Sequence, residues 1–298
     1  GSAFGGVGND TIQLRAGGSA FGGTGNDKIY ISIRGTGSGE AGDDVMSIDN
    51  FATGTLLGGD GNDRLYGSER ICYLYGGTGD DAVYIYGSSS VAYGGAGNDN
   101  LGDNNDNSQG GFLFGESGDD WLVLSSAGSA DGGDGNDTIY IRGAALHLAS
   151  NALGGAGNDT IRSVSTTGGR YTYINGSIGD DTIYCGLATD RIAVNYGATA
   201  GFIGNDVIFN FGTASGDYVA LYTNGNTAQH WVKSEVNGGT MFTLTQDGAS
   251  AALGAVFVSG VTGHLFSPDN ALPGATAYLF GLAQAGIALS LFHGGLAR

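Results

Sequence analysis

Apolar side chains recur along this chain at one fixed position after an aspartate. The second residue after each of these aspartates is aliphatic or methionine: Ile12, Ile29, Met46, Leu65, Val83, Leu101, Leu122, Ile139, Ile161 and Ile183. A second column of mostly small or aliphatic residues stands shortly before each repeat: Ala3, Ala20, Ser38, Leu56, Leu74, Ala92, Leu113, Ala130, Ala152 and Ile174. Because successive residues of a strand point to opposite faces, the columns predict short strands whose apolar ladders face each other across a thin coil.

Between the two columns lies the six-residue motif Gly-Gly-x-Gly-Asn-Asp. Strict copies end at Asp10, Asp27, Asp63, Asp99, Asp137 and Asp159, looser copies end at Asp44, Asp81, Asp120 and Asp181, and a degenerate copy ends at Asp206. Apart from the degenerate copy, the motifs start 17 to 22 residues apart, a period too short for paired helices and suited to two short strands with two turns. Glycine, at 60 of 298 residues, also disfavours helix by about 1 kcal/mol per residue relative to alanine. The sequence therefore predicts an all-β fold, a parallel β-roll or β-helix solenoid with one motif turn per coil.

The pattern changes after Asp206. Residues 207–211, 218–222, 240–245 and 255–258 form alternating or apolar runs bounded by Gly, Asn and Asp, which are typical of ordinary strands. We therefore expect a repeat domain over residues 1–206 and a C-terminal β-rich cap over residues 207–298, because a terminal coil needs a cover.

The stretch 270–292 within this second unit carries no charged residue. A secretion or assembly segment, a core helix and a membrane span are three interpretations of it. Its length would allow a span, but scattered glycines, Pro273 and polar residues argue against one, and we expect a secretion or assembly segment.

The motif resembles the nonapeptide Gly-Gly-x-Gly-x-Asp-x-aliphatic-x of the repeats-in-toxin (RTX) family, over roughly residues 1–206. In that family the loop is a turn, and Ca²⁺ lies between the loops of successive coils, held by the Asp carboxylate and by backbone carbonyls that glycine exposes. The resemblance implies the following calcium-site residues: Gly6, Gly8, Asp10, Gly23, Gly25, Asp27, Gly42, Asp44, Gly59, Gly61, Asp63, Gly77, Gly79, Asp81, Gly95, Gly97, Asp99, Gly118, Asp120, Gly133, Gly135, Asp137, Gly155, Gly157, Asp159, Gly179, Asp181 and Asp206.

Only one edge of the roll is expected to bind these ions. The alternate turns, at 15–19, 34–38, 52–55 and 87–90, contain almost no carboxylates, so we predict a single row of Ca²⁺ on the motif edge and a dry, hydroxyl-rich turn on the other. The formal net charge is −18, and aspartates stacked about 4.8 Å apart repel each other. About nine or ten divalent ions would roughly cancel that charge.

The expected location is extracellular. Calcium loops of extracellular modules bind at about 10⁻⁴ to 10⁻³ M, above what a bacterial cytosol supplies, and the resemblance implies type I secretion followed by folding in external calcium. The opening hexapeptide at 1–6 recurs at 18–23, so we expect the chain to be part of a longer protein. Cys72 and Cys185 lie about six coils apart, on the order of 29 Å, and are expected to be buried free thiols.

Two further columns are predicted to face outward. One contains Gln13, Tyr30, Ser47, Tyr66, Tyr84, Val123, Tyr140, Arg162 and Tyr184, and the other contains Phe4, Phe21, Leu57, Tyr75, Tyr93, Phe114 and Leu153. These columns favour contact with another chain, stacking of neighbouring rings, or a platform for a cell-surface polysaccharide.

Candidate chemistry other than metal binding is scarce. The 11 Lys and Arg against 29 Asp and Glu exclude a nucleic-acid surface, and we find no catalytic motif. The sequence thus favours a non-enzymatic, self-assembling structural or adhesive protein, such as an S-layer, surface fibre or adhesin component. The alternative is the non-catalytic C-terminal module of a secreted enzyme or toxin.

Overall fold

The computed structural model describes residues 1–103, 110–125, 127–142, 150–164, 172–186, 190–194, 204–211, 217–221, 229–236, 238–246, 254–259 and 277–280. Over these residues the fold is all-β, and the strands form a long parallel stack. The predicted β-solenoid is confirmed.

Each coil contributes one strand to each of two sheets. The strands that precede the motif aspartates, with their continuation, are β1 (Ser2–Val7), β3 (Gly18–Thr24), β5 (Arg34–Ala41), β7 (Thr53–Asp60), β9 (Cys72–Thr78), β11 (Val91–Ala96), β13 (Phe112–Ser117), β15 (Ser129–Asp134), β17 (Ser150–Ala156), β19 (Thr172–Ile178), β21 (Asp190–Val194) and β23 (Tyr218–Leu221). The strands that follow the motif are β2 (Thr11–Leu14), β4 (Lys28–Ile31), β6 (Val45–Ile48), β8 (Arg64–Tyr66), β10 (Ala82–Ile85), β12 (Asn100–Asp103), β14 (Trp121–Leu124), β16 (Thr138–Ile141), β18 (Thr160–Ser163), β20 (Thr182–Tyr184) and β22 (Gly204–Phe209). Within each group, every strand pairs in parallel with the same strand of the next coil.

The pairing places equivalent residues of successive coils side by side. Ile12 pairs with Ile29 in the motif-following sheet, and the whole column from Ile12 to Ile183 is buried. The column on the other sheet is likewise buried at Leu56, Leu74 and Leu113. The core is therefore a double ladder of aliphatic side chains, as the apolar pattern predicts.

The predicted inward position of Ser38 in the second column is wrong. Gly37, rather than Ser38, pairs with Ala20 and Leu56 in the inward column, whereas Ser38 pairs with Phe21 and Leu57 on the outer face. The reason is parity, since Ser38 lies one position closer to its motif than the other members do.

The stack continues beyond the degenerate motif. β23 pairs in parallel with β21, and β26 (Gly254–Ser259) pairs in parallel with β22. Antiparallel strands then follow: β24 (Gln229–Val236) and β25 (Gly239–Gln246) extend one sheet, and β27 (Ala277–Phe280) extends the other. The predicted boundary between residues 206 and 207 falls within β22.

Most of the uncharged stretch 270–292 lies outside the described residues, and only 277–280 is seen, as β27. No helix among the described residues is long and apolar enough to cross a membrane. Both Cys72 and Cys185 are buried free thiols, as predicted.

Candidate metal centre

The motif aspartates form a buried ladder along one edge of the roll. In each step the backbone N–H of one aspartate donates to Oδ1 of the aspartate in the next coil, over 2.6 to 3.2 Å, from Asp10 to Asp206. These side chains are almost completely buried from Asp27 onward. Thus one carboxylate oxygen of each residue is committed to the stacking of coils.

A second ladder runs beside the first on the exposed side of the turn. Here the residue before each motif aspartate accepts a hydrogen bond at Oδ1 from the backbone N–H of the following coil, as in the 2.8 Å bond from Asn98 to Asp80. Both Asn and Asp occur at this position without changing the pattern, since the backbone N–H of Asp119 in turn donates to Oδ1 of Asn98 over 2.8 Å. A carbonyl and a carboxylate oxygen serve equally well for a ladder bond.

The comparison of the two ladders shows that the inner one requires more than an acceptor. Every inner position is Asp, including the degenerate copy. Its Oδ2 is buried and has no hydrogen-bond partner at Asp10, Asp27, Asp44, Asp63, Asp81, Asp99, Asp120, Asp137, Asp159 and Asp181. A buried polar atom without a partner is costly, and a repeated row of such oxygens calls for a cation.

The first glycine of each motif forms the floor of this site. A Cβ atom on Gly22 would collide with Oδ2 of Asp27 and would lie 2.7 Å from the carbonyl oxygen of Gly39 in the next coil. A Cβ on Gly5 would similarly lie 2.6 Å from Oδ2 of Asp10 and 2.5 Å from the carbonyl oxygen of Gly22. Two acceptors thus line one small space that a side chain would fill.

These first glycines are functional residues that the sequence reasoning missed. The set comprises Gly5, Gly22, Gly39, Gly58, Gly76, Gly94, Gly115, Gly132, Gly154 and Gly176, and at each a Cβ would contact the motif aspartate. The available signal was that this position is always Gly in these ten motifs, whereas the second position is Glu40, Glu116 or Ser177 in three of them.

The predicted glycines at the second and fourth positions have a different role. They adopt left-handed backbone angles, with φ of 121° at Gly95 and 134° at Gly97, and a Cβ on either would collide with a carbonyl oxygen of the preceding coil. Glu40, Glu116 and Ser177 occupy the second position with φ of 76°, 78° and 81°, a region that non-glycine residues rarely adopt. Glycine here permits both the turn and the close stacking of coils.

Burial dominates the electrostatics of the inner ladder. It raises the pKa of Asp99 to about 6, that of Asp120 to about 7 and that of Asp159 to about 8, against a smaller lowering by the backbone N–H bond. Neighbouring carboxylates of the same ladder raise the pKa values further. The folded roll without a cation therefore opposes ionisation of residues that would be fully charged in water.

The donor set fits Ca²⁺. Hard carboxylate and carbonyl oxygens are its preferred ligands, and the structure gathers unpartnered Oδ2 atoms and first-glycine carbonyls from adjacent coils in one row. Bound calcium would supply the positive charge that these oxygens lack, and the Asp side chains and Gly carbonyls would hold it. The predicted glycines and aspartates up to Asp181 lie along this single edge, either in the last residues of the motif-preceding strands or in the turns that follow them, and Asp206 lies within β22.

The fold and this edge define the chain as a β-solenoid with a row of calcium sites. The RTX calcium-binding nonapeptide repeat matches the chain in four copies, at residues 57–84, 129–140, 151–163 and 172–193. The chain therefore contains RTX calcium-binding nonapeptide repeats, and such repeats bind Ca²⁺ in a row along the β-roll. A comparison with curated proteins gave no match. RTX repeat proteins are typically secreted or extracellular.

The second edge departs from the predicted dry, hydroxyl-rich turn. Asp103, Asp190 and Asp217 are buried there, each with no exposed surface. The sequence reasoning missed them because they follow or precede loops of irregular length, so their alignment with the inward columns is evident only from strand pairing.

Proposed function

We propose that this chain is a calcium-stabilised structural or adhesive element outside the cell, and that copies of it self-assemble. The observation that supports assembly is a continuous apolar area on the outer face of β7, β9, β11 and β13. We call it the aromatic face, and it consists of Leu57, Tyr73, Tyr75, Val91, Tyr93, Phe112 and Phe114.

The rings of the aromatic face stack along the roll and also remain accessible. Tyr75 and Tyr93 have centroids 4.8 Å apart, and Tyr93 and Phe114 have centroids 5.0 Å apart. Stacking of neighbouring rings, one of the three interpretations of the outward columns, is thus present. Tyr73 is still 46% exposed and Phe112 is 43% exposed, so much apolar surface is left for a partner.

Charge favours a second copy as that partner. The aromatic face contains no ionisable acid or base other than tyrosine hydroxyls, in a chain of formal net charge −18. Two such chains repel each other except where uncharged surfaces meet or calcium neutralises the motif edge. Burying the half-exposed side chains would contribute about 1 kcal/mol each. The free-energy cost of association is about 4 to 15 kcal/mol, and the summed contribution would offset the lower end of this range.

The requirement for calcium links folding and assembly to the outside of the cell. A motif edge whose carboxylates resist ionisation without a cation should fold only where calcium is abundant. We infer export by a type I route, as the RTX resemblance implied, followed by folding outside the cell. No catalytic role is proposed for the chain.

The test is association of the calcium-loaded chain, measured by light scattering and sedimentation against protein concentration. We expect polymers for the parent, and monomers or small species for the double variant Tyr73→Ser, Phe112→Ser. The matched control is Ile33→Ser, Phe51→Ser, which removes side chains that are 55% and 71% exposed in the turns of the second edge.

Each outcome separates the two functional classes. If the control assembles as the parent does and the aromatic-face variant does not, the structural role is supported. A parent that stays monomeric in calcium at high concentration would refute it and favour the alternative, a non-catalytic RTX module of a secreted enzyme or toxin. Binding to a cell-surface polysaccharide by the monomer would favour the platform interpretation of the rings.

A further inference from the structure

A buried polar cluster occupies the second edge in the last described coils. Ser150, Thr172 and Asp190 stack at the starts of β17, β19 and β21, in a column that contains Gly35, Gly54 and Cys72 in earlier coils. Ser163, which pairs with Ile141, ends β18 in a column that is aliphatic at Leu124 and Ile141 in the two preceding coils. Cys185 follows β20 at the next level of the same column. Buried polar residues are therefore neighbours in successive coils at this place, whereas Asp103 stacks between Ile85 and Leu124.

The cluster is held together by backbone bonds across coils. The N–H of Asp190 donates to Oδ1 of Asp217 over 2.9 Å, and the N–H of Gly186 donates to Oδ2 of Asp190 over 2.7 Å. The first bond repeats the inner-ladder arrangement of the motif edge on the opposite side of the roll. Two carboxylates are therefore fixed next to each other inside the protein.

Three atoms converge at this point with the spacing of metal ligands. Sγ of Cys185 and one carboxylate oxygen from each of Asp190 and Asp217 lie within 4.8 Å of one another. The exposed fractions of these residues are 4%, 0% and 0%. Ligand atoms around a tetrahedral zinc ion lie about 3.3 to 3.8 Å apart, as its bond lengths of about 2.0 to 2.3 Å require. These separations would have to shorten by at most about 1 to 1.5 Å to match that geometry.

Unpartnered oxygens supply an independent indication of a ligand. Oδ1 of Asp190, Oγ of Ser163 and Oγ1 of Thr172 are buried and have no hydrogen-bond partner. The side chains of Ser163 and Thr172 lie next to the carboxylate of Asp190, but none of these three oxygens reaches hydrogen-bond geometry with a partner. A buried carboxylate oxygen without a hydrogen-bond partner is costly unless it is paired or coordinates a metal.

The thiol decides which cation. Sγ of Cys185 is buried beside the carboxylates of Asp190 and Asp217, and a cysteine binds a metal as its thiolate. Calcium is a hard ion that takes oxygen ligands, whereas zinc and similar ions accept thiolate together with carboxylate.

We propose that Cys185, Asp190 and Asp217 form a second metal site, separate from the calcium row, for a thiophilic divalent cation of the zinc class. The hydroxyl of Ser163 or Thr172, or a water molecule, completes the coordination. Binding replaces the thiol proton with the metal and links the segment after β20 to the residues that open β21 and precede β23. It therefore fastens the second edge near the position where the calcium row ends at Asp206.

The experiment uses the full chain, saturated with calcium, and adds Co²⁺ as the spectroscopic probe. We expect one equivalent of cobalt to produce the near-ultraviolet charge-transfer band of a cobalt–thiolate bond, and zinc to abolish it by competition. Cys185→Ser should eliminate the band, and Asp190→Asn should weaken cobalt binding by at least about tenfold. The matched control is Cys72→Ser, which removes the other buried thiol, a group whose Sγ lies 3.4 Å from Oγ of Ser68, and should leave the band unchanged.

A measurement on the parent protein covers the case in which a variant fails to fold. Zinc should slow alkylation of Cys185 by at least about tenfold while leaving Cys72 unaffected, as read by mass spectrometry of the two peptides. The proposal is overturned if cobalt gives no thiolate band, if zinc protects neither cysteine or both equally, or if calcium alone fills the site independently of Cys185.

Discussion

Replacing Asp99 by Asn tests the calcium row because the change removes a charge and almost nothing else. Asn retains an oxygen to accept the 2.7 Å bond from the N–H of Asp81, and its own N–H still donates to Asp120. What is lost is the negative charge at the buried Oδ2. Asp80→Asn is the matched control, since it removes the same charge from the exposed ladder and keeps the bond from Asn98.

The sign of the effect should depend on calcium. Burial raises the pKa of Asp99 from 3.8 to about 6, and each unit corresponds to about 1.4 kcal/mol, so ionisation opposes folding by at most about 3 kcal/mol. Relaxation of the folded state around the buried charge reduces the figure to about 1 to 3 kcal/mol. Without calcium, Asp99→Asn should therefore stabilise the fold by that amount.

With calcium the loss of two sites outweighs that gain. Asp99 lies between two gaps of the row, and one site stabilises the folded state by about 2.7 kcal/mol when the ligand is at a hundred times its dissociation constant. After allowing for the gain from the missing charge, we expect the variant to be about 2 to 4 kcal/mol less stable than the parent.

Calorimetric titration and chemical denaturation measure the two halves of this prediction. In saturating calcium, Asp99→Asn should bind one or two fewer ions and unfold at lower denaturant than Asp80→Asn. In chelator, folding induced by trimethylamine N-oxide should need less osmolyte for Asp99→Asn than for the parent. An unchanged ion count would show that Oδ2 does not contact calcium, and a variant that is less stable than the parent in chelator would refute the burial argument.

Three other predictions concern the glycine columns and pH. Gly95→Ala should destabilise the calcium-loaded roll by at least about 3 kcal/mol more than Gly6→Ala in denaturant titrations. Both residues have φ above 100°, but a Cβ at residue 95 would collide with Gly77, whereas nothing lies within 4 Å of a Cβ at Gly6. Equal losses would contradict close coil stacking. Glu116→Gly should raise the free energy of unfolding by about 1 kcal/mol, because glycine tolerates the φ of 78° at this position without strain. The control is Glu69→Gly at an exposed residue. A loss of stability seen only in calcium would instead make Glu116 a calcium ligand. Burial raises the pKa values of Asp63 and Asp159 to about 7 and about 8, so in chelator the folded state binds more protons than the unfolded state between about pH 4 and pH 8. The stability of the folded state should therefore fall as pH rises through that window. Circular dichroism that shows the opposite trend would refute the burial argument.

Much of the fold follows from local spacing. The aliphatic column from Ile12 to Ile183 identifies one strand of each coil without any knowledge of its neighbours, because the position relative to the motif sets the direction of each side chain. The calcium edge is equally local, since the Asp ladder and its glycines come from the same six residues. The inward position of Ser38 was predicted wrongly, because Ser38 lies directly before its motif and the inward residue lies two positions before it.

Other features of the site depend on which atoms of different coils meet. The role of the first glycine is visible only once Oδ2 of Asp27 is seen beside Gly22 and the carbonyl of Gly39. Likewise, an outward tyrosine such as Tyr93 was predicted, but its stacking between Tyr75 and Phe114 follows from the pairing of three strands.

The sequence by itself determined the repeat, the two apolar ladders and the position of the calcium-binding turns, because all of these are set by the order of residues within one coil. The tertiary structure decided which coil-to-coil contacts leave oxygens without partners and which bring together residues far apart in the chain. Cys185, Asp190 and Asp217 show the difference, since loops of irregular length separate them and only the parallel register of β18 to β23 places their ligand atoms within 4.8 Å. Periodic side-chain direction is a local property of a strand, whereas a cluster is a property of the alignment between strands.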